Sequence, residues 1–457
     1  VSAGANGGSG TRSARGKRRG GAATLIDRDG IPSDGGVSGA FRPSKPDGRQ
    51  ASRVVGINWL RQSFLESTMP ITTAYETKIE RISILDEKGN FDEKLGKGLI
   101  PDADLVKLYE AMSSCRQLDQ VAFRLQRSGR MGTYPQNMGQ EATSLGAAYV
   151  LRKDDWMVTC YRENCGLFWR GVPKEAILLH WMGDERGNAM PKPHWVTPIY
   201  VPLGTQMLHA AGLTMAARYQ GKAGGGEDRI ACTFFGDGAS SEGDFHEACN
   251  FASNLKIPVV FVCQNNFWAI STPSKINSAA PTFAQRGIAY GMPCMQCDGN
   301  DLFATVYTMK KSVEYTRQTG LPCFVEMVTY RLGDHTTADD ATRYRDKAEV
   351  DAWKARDPII RLRNYMVARK LWDDSKEAAL AEKIEKENAD AVARAEGIAA
   401  PHRADFFDSM YADIPTDLAA QRDTMHTHSL GQDPSQLPPE AQERARQMSA
   451  EAQAAHH

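Results

Sequence analysis

Asp237 and Asn266 are the residues with the most chemistry to offer. Asp237 lies in the turn Gly236-Asp237-Gly238, and Asn266 closes the pair Asn265-Asn266. An apolar run over 230–235 precedes the turn and reads as a buried strand, and 259–262 reads as a second. Between them 245–254 has helical character, and Pro258 punctuates. Strand, helix and strand at this length make a right-handed crossover, so the two strands run parallel and end on one edge. Open α/β sheets bind ligands at that edge. Gly236 and Gly238 let backbone amides come close to a phosphate, and the following helix turns its positive end toward it. One carboxylate and one amide oxygen do not cage a metal alone. They suit Mg²⁺, which shares its oxygen shell with water and phosphate. The spacing reads as a diphosphate held through Mg²⁺, against the plain alternative of an acidic surface turn.

Two further positions sit where such a ligand would be gripped. Residues 156–159 read as a strand, with Tyr161-Arg162 at its end. The forked guanidinium of Arg162 suits phosphate oxygens and Tyr161 adds a hydroxyl donor. The bland alternative is a surface arginine paired with Glu163. Residues 321–328 form another apolar strand, and His335 lies in the loop beyond it. Loops at strand carboxyl ends carry catalytic groups, although a histidine beside Asp and Thr is equally at home on a surface.

The elements that must hold these residues read as follows. A helix opens at Pro101-Asp102 and carries Leu105, Leu108, Met112, Leu118, Phe123 and Leu125 on one face. A loop over 129–140 leads into a small-residue helix over 141–150, where Ala142, Gly146, Ala147 and Ala148 let another helix come close. The loop over 183–197 carries a surface ion-pair cluster at Asp184, Glu185 and Arg186. A helix over 207–219 follows 201–206, and the stretch from 350 to about 395 is helical. A short β-like piece occupies 75–85. His246 reads as a capping or interface residue.

Composition sets the outer limits. A formal net charge of −1 gives no electrostatic case for nucleic acid or a membrane surface, and no apolar run reaches a membrane span. The nine cysteines are scattered, and the lone Cys294/Cys297 pair favours buried thiols over zinc. This pattern suits a reducing compartment. Residues 1–68 are Gly-, Ser-, Arg- and Pro-rich and read as a disordered or extended arm. Five basic and no acidic residues in the first twenty raise a transit-peptide reading, and patterned sequence begins near Met69. The expected organisation is an α/β domain over 69–350, a helical region over 351–427 and a flexible tail over 428–457.

The segments TYPQNMGQEA, CYRENCGLFWRG, VPLGTQ, FFGDGASSEGDFHEACNFA, CQNNFWAISTP, CDGND and TYRLGDHTTADDATRYR stand in this order. Together they resemble the alpha subunit of the decarboxylating component of 2-oxo acid dehydrogenase complexes, over about 102–372. The resemblance implies a thiamine-diphosphate-binding α/β fold, a mainly parallel sheet flanked by helices with a helical C-terminal extension. It implies thiamine diphosphate and Mg²⁺ as cofactors. By resemblance Asp237, Asn266 and the Trp268 carbonyl hold the metal, and Gly236, Gly238 and Ala239 line the diphosphate. Tyr161 and Arg162 clamp the diphosphate, and Leu203 lies near the aminopyrimidine. Thr133 and Tyr134 line the substrate pocket. His335 faces the cofactor, orders its loop and assists transfer to a lipoyl group. Thr336 takes the position of a regulatory phosphoserine. From their charges, Arg331, Asp339, Asp340, Arg343 and Arg345 would order the loop by opposite-charge pairing, against the plain alternative of a solvated mixed-charge face. Gln264 stands where branched-chain enzymes carry arginine, so one phosphate contact is lost or replaced. Thr205 and Gln206 match positions that in some members help hold K⁺, but Tyr200 and Val201 replace the usual serines.

The implied partners are a beta subunit, in an α₂β₂ assembly, and a lipoyl-bearing acyltransferase. Pyruvate is the expected substrate, with branched-chain 2-oxo acids next and acetoin third. A bacterial cytoplasm is the expected location, with the mitochondrial matrix as alternative. The rivals are a Mg²⁺-dependent phosphate-ester hydrolase and a non-catalytic scaffold subunit.

Overall fold

Six parallel strands, in the order β1-β7-β8-β4-β3-β2, form the sheet that carries the site. They are β1 (Glu80–Ile82), β2 (Trp156–Val158), β3 (Ala231–Gly236), β4 (Val259–Asn265), β7 (Cys294–Asp298) and β8 (Cys323–Val328), with β5 (Trp268–Ala269) and β6 (Thr272–Pro273) forming a small antiparallel hairpin. The computed structural model describes residues 73–190, 195–221, 229–399, 405–408 and 410–427. The chain divides into two units at Glu76, and all these elements belong to the unit that begins at Thr77. The expectations for 1–68 and for 428–457 lie outside the described residues.

Both faces of the sheet are covered, which is why β3 and β4 are apolar without alternation. Cys232, Phe234, Val260 and Val262 join one core, while Ala231, Phe235, Val259, Phe261 and Cys263 join the other. Cys294 and Cys297 are three apart on β7, so they point to opposite faces and cannot chelate together. All nine cysteines are free thiols.

In chain order the main helices are α1 (Asp102–Arg127), α2 (Glu141–Val150), α3 (Asn164–Trp169), α4 (Lys174–Trp181), α5 (Thr205–Tyr219), α6 (Gly243–Asn254), α7 (Ser274–Asn277), α8 (Gln285–Ile288) and α9 (Leu302–Thr319). α1 buries the face marked by Leu105, Leu108, Met112, Leu118 and Leu125. The small-residue helix α2 is approached closely, as expected: a Cβ on Gly146 would collide with Thr305 Oγ1 of α9. The β-like piece near 80 shrinks to β1. Beyond it the backbone amides of Ile84 and Leu85 leave the sheet for the Asp301 carboxylate, at 2.6 and 2.7 Å.

The helical stretch after 346 is broken into α10 (Lys347–Lys354), α11 (Pro358–Ala368) and α12 (Asp374–Glu396). Asp346, Asp357 and Asp373 each cap the start of one by accepting backbone N–H groups. Among the described residues no strand follows β8.

Because all six strands point one way, β2, β3, β4 and β8 present their carboxyl ends along one edge. The ends are level. Gly236 pairs with Gln264, and Gln264 with Met327. The next residues in each chain segment lead to Arg162, Asp237, Asn266 and His335.

Candidate functional site at the carboxyl edge of the sheet

Asp237 sits directly on the end of β3 and is 1% exposed. Its backbone carbonyl accepts the Ser240 hydroxyl at 2.6 Å and the Asn277 amide at 2.9 Å, which fixes the turn. Its carboxylate points into the protein with Oδ2 lacking any partner. Burial pushes this carboxyl up to about 6, against the lowering effect of its own backbone amide and that of Asn266. Gly238 is required by contact, since a Cβ there would lie 2.5 Å from the Ala269 side chain. The residue after it, Ala239, is buried. Helix α6 starts only at Gly243. The single 3₁₀ turn Gly238–Ser241, rather than α6 itself, therefore presents its amides at the strand end.

Asn266 directly follows β4 and is oriented on both sides. Its Nδ2 donates to Gln140 Oε1 at 3.1 Å, and its Oδ1 accepts the Trp268 amide at 3.2 Å. The Trp268 carbonyl accepts from Arg331 at 3.2 Å. Around Trp268 the backbone takes left-handed conformations at Phe267 (φ 68) and Ile270 (φ 54). Such values cost a bulky residue about 1–2 kcal/mol each, and they aim this short turn back across the strand ends. Helix α10 holds the turn from outside. Its Glu349 accepts from the Trp268 indole at 3.0 Å and from the Tyr330 hydroxyl at 2.9 Å.

Arg162 and His335 come together across the edge. Arg162 is 6% exposed and donates to the carbonyls of Gln136 and of His335, the latter at 3.0 Å. Its guanidinium forms no ion pair with Glu163 and is buried, so the surface ion-pair alternative is set aside. Its Nη2 also lies 3.4 Å from His335 Nδ1, and Arg331 Nη1 lies 3.3 Å from the same nitrogen. Two guanidinium groups facing Nδ1 require that nitrogen to accept, which leaves the proton on Nε2. Burial and these two cations hold the imidazole down to about 3, although Asp339 opposes them. Arg331 is itself pushed down to about 10 by burial and by the positive charge of Arg162. The edge thus holds a buried carboxylate oxygen without a partner beside a buried surplus of positive charge. That donor set fits a divalent cation together with an anionic phosphate. Among the described residues no three His, Cys, Asp or Glu side chains converge on a metal-sized site.

The loop that carries His335 is ordered chiefly by hydrogen bonds to backbone. Arg331 donates to Ile270 O at 2.7 Å, and Arg345 donates to the carbonyls of Arg331, Leu332 and Gly333. Asp339 accepts the His335 amide at 2.9 Å and the Tyr344 hydroxyl. Asp340 caps a short turn through Thr342, and Arg343 points to solvent. The loop over 129–140 does lie against this one, through Leu332 to Met138 and Thr337 to Tyr134 backbone bonds. Tyr134, however, does not line a pocket. It is fully buried and its hydroxyl donates to Asp119 at 2.8 Å. Leu203 is 41% exposed, Tyr161 packs its ring edge-on to His335 at 6.3 Å, and Thr336 is half-buried. Gln206 spends its amide on Phe234 O at 3.0 Å. Sequence reasoning missed Gln136, Gln140, Asn277 and Arg286, the last donating to Ser240 and to Asn277 O. All four act through contacts distant in sequence. A cavity of about 880 Å³ lies behind the loop, lined by Gln136, Leu332, Gly333 and Arg345 among others, and does not include Asp237 or Asn266.

The family model described as dehydrogenase E1 component matches residues 109–403. The chain belongs to the dehydrogenase E1 component family. It is 42% identical over 329 residues to the 3-methyl-2-oxobutanoate dehydrogenase subunit alpha of Mycobacterium tuberculosis, covering 71% of this chain and 88% of that protein. It is 37% identical over 350 residues to the pyruvate dehydrogenase E1 component subunit alpha of Staphylococcus aureus, covering 76% of this chain and 92% of that protein. The resemblance read from the motifs is thereby established, and with it the thiamine-diphosphate-binding fold. Among the described residues no helix is long and apolar enough to cross a membrane.

The electrostatics give a pH expectation. His335 is held down to about 3, while the unfolded chain takes up its proton near the ordinary histidine value of 6.5. As pH falls below 6.5 the unfolded state gains a proton that the folded loop refuses. The contribution of this loop is therefore complete above 6.5 and lost progressively toward 3. In a ¹³C-edited NMR titration of the ligand-free protein, the His335 imidazole should stay neutral at pH 5. A midpoint above 6 would contradict the two-guanidinium environment.

Proposed function

We propose that this chain binds Mg²⁺ and thiamine diphosphate at the carboxyl edge of its sheet. With a beta subunit it decarboxylates a 2-oxo acid and passes the acyl group to the lipoyl group of an acyltransferase. The observation that carries this reading is the unpartnered, buried Asp237 oxygen beside the Arg162–Arg331 pair. It asks for a cation and an anion at one place, and a metal-bound diphosphate supplies both.

Asp237, Asn266 and the Trp268 carbonyl hold the metal. Gly236 shapes the turn, while the amides of Gly238 and Ala239 and the Arg162 guanidinium take the phosphate oxygens, with Tyr161 beside them. Leu203 offers an apolar side chain to the pyrimidine ring. When bound, thiamine diphosphate supplies the electron sink that lets a 2-oxo acid lose CO₂. His335, neutral with Nε2–H, holds a proton that it can donate toward the reacting groups while Arg331 and Asp339 fix its ring and backbone. Among the described residues there is one parallel sheet beside the small β5–β6 hairpin, and no strand follows β8. The other half of a thiamine site then comes from the beta chain, and an α₂β₂ assembly follows from family precedent.

Pyruvate is the preferred substrate. The segments around Arg162 and His335 resemble bacterial pyruvate-type subunits, and the pyruvate-type relative aligns over the longer stretch. The 42% identity to a 3-methyl-2-oxobutanoate dehydrogenase subunit supports the branched-chain reading as the second. Thr336 is the proposed regulatory position, being half-buried next to His335.

Reconstituted with its beta chain, the protein should release CO₂ from pyruvate faster than from 3-methyl-2-oxobutanoate. The opposite order would reassign the substrate, and no CO₂ from either would remove the reading. Thr336→Glu should abolish lipoyl-domain acylation, because a new charge beside His335 competes with the diphosphate for Arg162. Turnover equal to that of the unsubstituted protein would rule out this position as a switch.

A further inference from the structure

A single buried carboxylate joins the arginine at the end of β2 to the row that ends β3 and β4. Glu163 follows Arg162 and is 1% exposed. Its Oε2 accepts the backbone N–H of Cys160 at 2.9 Å and that of Arg162 at 3.1 Å. Its Oε1 accepts from Gln264 Nε2, and Gln264 Oε1 accepts from the Thr143 hydroxyl of α2. Gln264 lies two residues before Asn266, and its backbone pairs with Gly236, the residue before Asp237. Gln264 and Thr143 are buried as well. The Gln264 amide is therefore spent on Glu163 and Thr143.

The chemistry of this contact is specific. Three donors converge on Glu163, two of them main-chain amides that cannot turn away. A carboxylate meets all three with acceptors alone. Burial pushes the group up to about 7, while Gln264 and the two amides oppose the rise. An apolar pair of the same size would avoid the cost of burying this carboxylate. It would also leave the amides of Cys160 and Arg162 without partners and free the loop that aims the guanidinium.

We infer that Glu163 is a positioning residue: with Gln264 it forms a buried strut that sets the Arg162 guanidinium against the metal-binding ends of β3 and β4. The inference rests on the diphosphate site proposed above. Glutamine at 163 can keep the strut if the Gln264 amide flips, because Thr143 can then accept from Gln264 and donate to Gln140 O, 2.7 Å away. Leucine cannot. Glutamate at 264 opposes two buried carboxylates, and adding glutamine at 163 removes the clash while keeping every hydrogen bond.

The test uses the protein assembled with its beta chain, thiamine diphosphate with Mg²⁺ as the calorimetric probe, and amide hydrogen exchange across 160–163. Glu163→Leu and Gln264→Glu should each weaken thiamine diphosphate binding at least about tenfold and strip protection from the Cys160 and Arg162 amides. Glu163→Gln, and the swap E163Q/Q264E, should stay within about threefold of the unsubstituted protein and keep that protection. The strut is overturned if Glu163→Leu leaves both readouts unchanged, or if the swap is as weak as Gln264→Glu. Should the unsubstituted protein itself take up no thiamine diphosphate, the cofactor reading falls. The exchange measurements still decide whether Glu163 and Gln264 hold Arg162.

Discussion

The buried oxygen of Asp237 that has no partner is the constraint around which the rest of the edge is arranged. A carboxylate at 1% exposure, with one oxygen unpaired, costs several kcal/mol to bury. The protein does not relieve that cost with a neighbouring cation in direct contact. Instead it places Arg162 and Arg331 nearby, bonded to carbonyls and to His335, where burial and then the charge of Arg162 push Arg331 down to about 10. Both imbalances are tolerated because the surrounding turns are over-determined. Asn277, Ser240 and Arg286 pin one side, and Gln140, Glu349 and Arg345 pin the other. A rigid edge with unbalanced charge is a preorganised receptor for a ligand that carries both signs.

Parallel pairing converts this into geometry. Gly236, Gln264 and Met327 form one row across three strands. A change in register at any of them would displace Asp237 relative to Asn266 and the His335 loop. The uniformly buried, two-faced apolar sequences of β3 and β4 specify that register only in part, because both faces look alike to the strands. The remainder comes from polar ties such as Asn265 to Glu326 at 2.8 Å and the Glu163–Gln264 contact.

Legibility in the sequence followed locality. The strand, acidic turn, helix, strand pattern around Asp237 was readable because each part is a short-range signal, and α2 was readable to its ends. The same rules placed Arg162 and His335 at strand ends without showing that they touch. Contacts that need two distant segments were not readable. Tyr134 turned inward because Asp119 on α1 takes its hydroxyl, and Asn277 and Arg286 brace a turn forty residues or more upstream. The long helical stretch after 346 broke at Asp357-Pro358, a capping signal that was present in the sequence and outweighed by helical composition. Family resemblance supplied Trp268 and Leu203, which composition and spacing do not mark.

The central claim is that Asp237 holds a metal that in turn holds a diphosphate. Calorimetric titration of thiamine diphosphate into the protein assembled with its beta chain, with Mg²⁺ present and with Mg²⁺ chelated, tests it most directly when repeated on Asp237→Ala. Binding should require Mg²⁺ in the unsubstituted protein, and in Asp237→Ala it should be weak and indifferent to Mg²⁺, with the melting temperature unchanged or raised. Equal affinity in the variant, or binding that survives chelation undiminished, would contradict the account.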